Sequence, residues 1–267
     1  MVICAYNIPM KETFSDTGIV GKKIFFLHPT VVVQNRVIGE LIQQEFEVYV
    51  SKNKDSLKKV LRNYPNSIVF IDINEQMPEK DWELWIRGVM DASDTKSTSI
   101  GIITANENEQ LKEKYTSTIK IPGGYITLKF DLDKAISRIV TILQAMNAKG
   151  RRKYIRANTE KETNTTINMP WGGEFIKGNI KDISVVGISC TLETNPEIGK
   201  NTLVKDVQIK LQTTLIKVEG IVIGSRTEGM ETIYVILFTQ RIDPEVRTKI
   251  RKYIQFNLQS KMEFELR

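Results

Sequence analysis

The 267-residue chain carries a formal net charge of +6, two cysteines and one histidine. Its 41% hydrophobic and 26% charged residues suit a globular protein of one large domain or two ordinary ones. Cys4, Cys190 and His28 cannot fill a tetrahedral zinc site, neither cysteine sits in a C-x-x-C motif, and His28 is the one imidazole a histidine-based triad could use. Met1 to Met10 lack the basic region and cleavage site of an export signal, and no stretch approaches the ~20 apolar residues of a spanning helix. With two unpaired cysteines, these features predict a cytoplasmic protein whose residues 1–20 form a flexible lead.

From Lys22 to Met146, short β-rich runs alternate with helical ones. Ile24–Leu27 reads as a buried strand ending at His28-Pro29, and Val32–Phe46 as a helix with apolar residues at a 3.6-residue period. Val48–Val50 is a second strand, Asp55–Tyr64 a second helix stopped at Pro65, and Ser67–Ile73 the strongest strand of this half. Pro78–Met90 forms a helix, Ile100–Ala105 a strand, Asn108–Tyr115 a short helix, and Ile119–Leu128 an extended region broken by Pro122-Gly123-Gly124. A last helix runs from Asp131 to Ala148, with Gly150 as its left-handed cap.

Five β-α alternations with near-continuous apolar strands predict a parallel sheet covered on both faces. The arrangement resembles a flavodoxin-type or receiver-type domain, whose ligands sit beyond the carboxyl ends of the strands. Asp72 stands where a receiver keeps its phosphoacceptor, and Thr104 where it places a hydroxyl. The first strand, however, runs into Leu27-His28-Pro29 and lacks the paired acids that hold magnesium. This half therefore reads as receiver-like and unphosphorylated, with Asp72 capping a loop.

After Met146 the sequence turns β-rich. Candidate strands are Thr165–Met169, Glu174–Ile180, Gly187–Glu193, Leu203–Leu211, Leu215–Ser225 and Glu231–Phe238, separated by glycine- and asparagine-rich turns. They predict a small antiparallel barrel or sandwich. Asp243-Pro244-Glu245 then opens a helix carrying Val246, Ile250, Tyr253, Ile254 and Leu258 on one face.

The chemistry concentrates at the junction. Residues 1–150 hold 19 basic and 18 acidic side chains, residues 151–267 hold 19 and 14, and Arg151, Arg152, Lys153 and Arg156 fall within six positions. Arg152 and Arg156 make R-x-x-x-R, and Asp182, Ser184 and Gly187 make D-x-S-x-x-G after a predicted strand. R-x-x-x-R alone is weak: Arg247 and Arg251 repeat it on the C-terminal helix, where a solvated basic face accounts for it. D-x-S-x-x-G is sharper, and the two together resemble the PilZ family, β-barrel receptors for cyclic di-GMP, over about residues 150–260.

That messenger is a dianion with two guanines. Guanidinium forks match the O6/N7 edge of guanine, hold phosphate oxygens or stack on a base. An extended lead-in would put Arg152 and Arg156 on one side of the chain. Asp182 would accept from guanine N–H groups, Ser184 would offer a hydroxyl, and Gly187 would permit a tight turn or close ligand approach. Arg151, just before R-x-x-x-R, implies by the resemblance an intercalated messenger dimer. Trp171-Gly172-Gly173-Glu174-Phe175 superficially matches a diguanylate cyclase signature, but it lacks one acid and falls in a predicted β-turn, so that reading is rejected.

The predicted whole is an α+β two-domain protein. Residues 1–146 form a receiver-like (βα)5 accessory domain, 147–156 a basic linker, and 157–267 a six-stranded PilZ β-barrel with a C-terminal helix. The resemblance is to two-domain cyclic di-GMP effectors of the PlzA-like type, and departs from the pattern in which both domains are barrels. It implies a signal-transduction protein, not an enzyme, with no metal and no cofactor beyond the messenger ligand. Messenger binding would change the domain arrangement and regulate a protein partner through the N-terminal half, with motility, surface or gene-expression output. The alternatives are a nucleotide-independent PilZ-type adaptor and a nucleic-acid-binding regulator, the latter from pI ≈ 9.1 and the positive surface expected of Lys177, Lys181, Arg226, Lys249, Arg251 and Lys252.

Overall fold

The computed structural model describes residues 21–74, 76–128 and 131–265. The expected lead at residues 1–20, Cys4 included, lies outside the described residues. Strands β1 (Ile24–Leu27), β2 (Val48–Ser51), β3 (Ile68–Asp72), β4 (Ser99–Thr104) and β5 (Tyr125–Thr127) form a wholly parallel sheet. Their order is β2-β1-β3-β4-β5, that of the flavodoxin and receiver folds. Helices α2 (Lys54–Asn63) and α3 (Glu79–Met90) cover the face carrying Phe25 and Leu27, while α1 (Gly39–Gln43) and α5 (Leu132–Ala145) cover that of Ile24 and Phe26. Burial on both faces explains why these strands read as unbroken apolar runs.

Three local expectations change. The helix expected over Val32–Phe46 is a π-helical segment, Val33–Ile38, followed by α1, which keeps Val33, Val37, Ile38 and Leu41 buried. The extended region Ile119–Leu128 shortens to β5, because Pro122 has no N–H to give a ladder and Gly124 takes a left-handed φ of +73°. The cap of α5 is Asn147 rather than Gly150: its φ is +51°, its N–H donates to the Gln144 carbonyl, and the Ala148 N–H donates to that of Leu143. Asparagine tolerates that conformation and stands two residues past the last helical one, so the glycine is not needed. Helix α4 (Glu109–Glu113) continues as a π-helical segment to Thr118.

Strands β6 (Ala157–Asn158), β7 (Thr165–Trp171), β8 (Glu174–Ser184), β9 (Gly187–Leu192), β10 (Thr202–Leu211), β11 (Thr214–Glu228) and β12 (Glu231–Phe238) form the second sheet. Its order is β6-β8-β7-β10-β11-β12-β9, and a further β8–β9 pairing closes six of them into an antiparallel barrel. Closure leaves no edge in the ring, and the alternating residues of each strand fill the interior around Ile167, Ile209, Val222 and Ile236. Gly172 and Gly173 have φ of +61° and +91° between the paired Trp171 and Glu174, so the cyclase-like pentapeptide is a tight hairpin.

Helix α6 (Pro244–Glu265) belongs to both sheets. Ile250, Tyr253 and Ile254 pack into the barrel core, whereas Met262 is buried with the α2–α3 side of the parallel sheet. Between them, α6 seals the parallel sheet's edge strand β2: Gln259 accepts from the Val50 N–H and donates to its carbonyl, and Gln255 donates to the Val48 carbonyl. Among the described residues no helix is long and apolar enough to cross a membrane.

Candidate functional site

The two motif halves meet where β6 joins the barrel. Ala157 pairs with Ile183 and Asn158 with Asp182, which lays the end of the arginine segment beside D-x-S-x-x-G. Arg156 Nη1 stands 3.6 Å from Asp182 Oδ1, with the two side chains 46% and 28% exposed. The other Asp182 oxygen accepts from the hydroxyl of Ser189, a buried residue opposite it on β9. Asp182 is thus held from within the barrel while one oxygen faces the arginine. Sequence reasoning missed Ser189; only the β8–β9 register, shifted between Ile180 and Asp182, reveals it.

The lead-in is not a regular strand. Residues 151–156 bend before β6 begins, so strand alternation does not place Arg152 and Arg156 on one side; the β6–β8 pairing positions Arg156. Arg151, Arg152 and Lys153 are all exposed. Ser184 is buried, donates its hydroxyl to the Gly187 carbonyl at 3.2 Å and accepts from the Val186 N–H at 3.4 Å, so it ties the β8–β9 turn. At Gly187 an added Cβ would lie 2.4 Å from the Ile236 carbonyl of β12, so strand packing requires glycine there.

Beneath Asp182 lies Cys190, fully buried, its thiol pushed up to about 12 by burial and secondarily by the Asp182 charge. Both the burial and the raised pKa keep this thiol from the reactive thiolate form. Cys190 is therefore expected to resist iodoacetamide in the folded protein and to react once denaturant is added, as peptide mass spectrometry will read; prompt labelling of the native chain at Cys190 would contradict this.

Four of the six cations expected to form a positive surface are ion-paired. Lys181 bridges Glu160 and Glu231, Arg226 pairs with Glu228, and Lys249 with Glu245. Arg251 does not belong to a solvated basic face: it pairs with Glu45, whose side chain is only 11% exposed. A cleft of about 1010 Å³ between α6 and the start of α2, lined by Phe256, Lys252, Ser51 and Lys52 among others, contains none of the motif residues.

At the strand ends of the parallel sheet, Asp72 is buried and its Oδ1 accepts from both the N–H and the side-chain amide of Asn74, at 3.1 and 3.0 Å. The same Asn74 amide donates to Thr104 Oγ1 at 2.7 Å. The receiver-like acid and hydroxyl are thus tied to each other by an asparagine. His28, at the end of β1, meets Trp82 edge-on, and no group of three metal-ligating side chains occurs among the described residues.

Residues 150–256 match the family described as PilZ domain. A search of curated protein sequences finds no match. Among solved structures, the chain is similar to the PilZ domain with c-di-GMP of YcgR from Escherichia coli, at 15% identity and a TM-score of 0.36, over 43% of this chain and 96% of that one. The K. pneumonia MrkH–c-di-GMP complex matches at 20% identity and a TM-score of 0.38, over 42% of this chain and 55% of that one. The Mn(2+)-bound response regulator Rcp1 matches at 17% identity and a TM-score of 0.37, over 47% of this chain and 94% of that one. The family match spans both motifs and the closed barrel that carries them, and residues 150–256 are a PilZ domain.

Proposed function

We propose that the protein is a receptor for cyclic di-GMP that transmits messenger occupancy to a partner. The observation that carries this reading is the 3.6 Å approach of Arg156 to Asp182, which joins R-x-x-x-R to D-x-S-x-x-G across the barrel surface. A guanine can replace this ion pair once the two groups part: the guanidinium donates to O6 and N7, while the carboxylate accepts from the base N–H groups. Arg152 and Arg151 supply further cations for the phosphates or for stacking, and Ser184 and Gly187 shape the turn beneath. With Arg151 present, the bound species is an intercalated messenger dimer.

The functional units are residues 1–146 and 157–267, joined by 147–156, with α6 engaging both. Ordering of the arginine segment over bound messenger fixes one arrangement of the two halves, and the receiver-like half presents the surface that a cytoplasmic protein partner reads. No catalysis and no cofactor enter this scheme. Isothermal titration with cyclic di-GMP is expected to show saturable binding at two messengers per chain. One messenger per chain would remove the dimer, and no heat at all would remove the receptor reading.

A further inference from the structure

We infer that Glu45, in the receiver-like half, is a positioning residue of the messenger site. Its carboxylate pins the arginine segment so that Arg156 is presented to Asp182. This rests on the cyclic di-GMP reading above and extends the site across the junction.

Glu45 occupies an unusual place. Helix α1 ends with the Glu45 N–H donating to the Ile42 carbonyl and the Phe46 N–H to that of Leu41. This is the Schellman arrangement, whose left-handed position normally takes glycine or asparagine. Glu45 sits there with φ of +61°, a conformation that costs a residue bearing a Cβ. The α5 end, by contrast, meets the same demand with Asn147. Eight other non-glycine residues among those described also have a positive φ, so the inference rests on what the Glu45 side chain touches.

That side chain reaches across the junction with both oxygens. Oε2 accepts from the Ile155 N–H at 3.2 Å, and Oε1 accepts from Arg251 Nε and Nη2 at 3.2 Å each. Ile155 immediately precedes Arg156, and Ala157 pairs with Ile183 of β8. Arg156 therefore stands between two anchors, Glu45 on one side and the barrel on the other. Arg251 projects from α6, whose neighbouring Ile250 and Ile254 are buried in the barrel core, so Glu45 is itself oriented by the PilZ half. An undocked N-terminal half would leave the arginine segment free to wander, and messenger binding would have to order it. By linkage, messenger binding and docking of the halves strengthen each other.

The test compares wild type with Glu45→Gly, Glu45→Asn and Glu45→Gln in the full chain. Glycine and asparagine suit the left-handed backbone but strand Arg251 and the Ile155 N–H, so affinities are compared well below every variant's melting temperature, where cyclic di-GMP affinity should fall about tenfold for loss of a charge-assisted hydrogen bond. Hydrogen exchange in peptides covering residues 151–157 should accelerate in both variants without any messenger present. Glutamine keeps an oxygen for the Ile155 N–H and should restore affinity to within about threefold of wild type. Unchanged affinity and unchanged exchange in Glu45→Gly, with wild type binding normally, would overturn the positioning role alone. Wild type that fails to bind the messenger would overturn the receptor reading and this role with it.

Discussion

Asp182→Asn is expected to weaken cyclic di-GMP binding by up to about a hundredfold while leaving the barrel almost as stable as before. The carboxylate has two separable jobs. Oδ2 accepts from the buried Ser189 hydroxyl, and an amide oxygen can take over that bond. Oδ1 faces Arg156 at 3.6 Å, and there the amide has no charge to offer. The ion pair itself is half in water, so its loss should cost the fold less than about 1 kcal/mol. Asp182→Ala removes both jobs and strands the Ser189 hydroxyl, adding roughly 1–3 kcal/mol of destabilisation. Titration calorimetry and thermal melts on the two variants separate the roles. Messenger affinity preserved in Asp182→Asn would mean that the acid is only a brace for β9.

Gly187→Ala should act in the opposite way, damaging the fold first. The added methyl would sit 2.4 Å from the Ile236 carbonyl and 3.2 Å from Leu237, on the strand that pairs with β9. Backbone cannot swing aside as the tip of a flexible side chain can. Strands β9 and β12 must separate at the start of their ladder, where Gly187 pairs with Leu237, at a cost of about 3 kcal/mol. For a domain of this size that corresponds to a fall in Tm of roughly 10 °C or more. Any loss of messenger binding should follow the unfolded fraction and vanish on cooling. A variant as stable as wild type that still fails to bind would return Gly187 to the role of ligand contact.

Strand positions were readable from alternation and turn residues: each of the six ring strands begins within one residue of its expected start. The parallel sheet was equally plain, because burial on both faces leaves continuous apolar runs such as Ile68–Asp72. Pairing partners were not readable. Ser189 meets Asp182 through a bulged register, and Glu45 meets Ile155 from 110 residues away, neither of which leaves a local pattern. Glu45 was hidden for a further reason, since nothing in its type announces a left-handed helix end. Arg251 read as solvated because helical spacing reports only a helix's own neighbours. Of the motif residues, Ser184 hydrogen-bonds within the β8–β9 turn, Gly187 packs against β12, and Arg156 pairs with Asp182.

The two glutamines that seal β2 set a schedule for synthesis. Val50 and Gln259 are 209 residues apart, so a ribosome adding about 5–20 residues per second needs roughly 10–40 s between one and the other. Through that interval the parallel sheet can be complete in every strand and still present an open, strand-shaped flank to other nascent chains. Expression at lower temperature, or chaperone supply early in translation, should therefore raise the soluble yield. Chains cut before Gln255 should aggregate even when both sheets are intact.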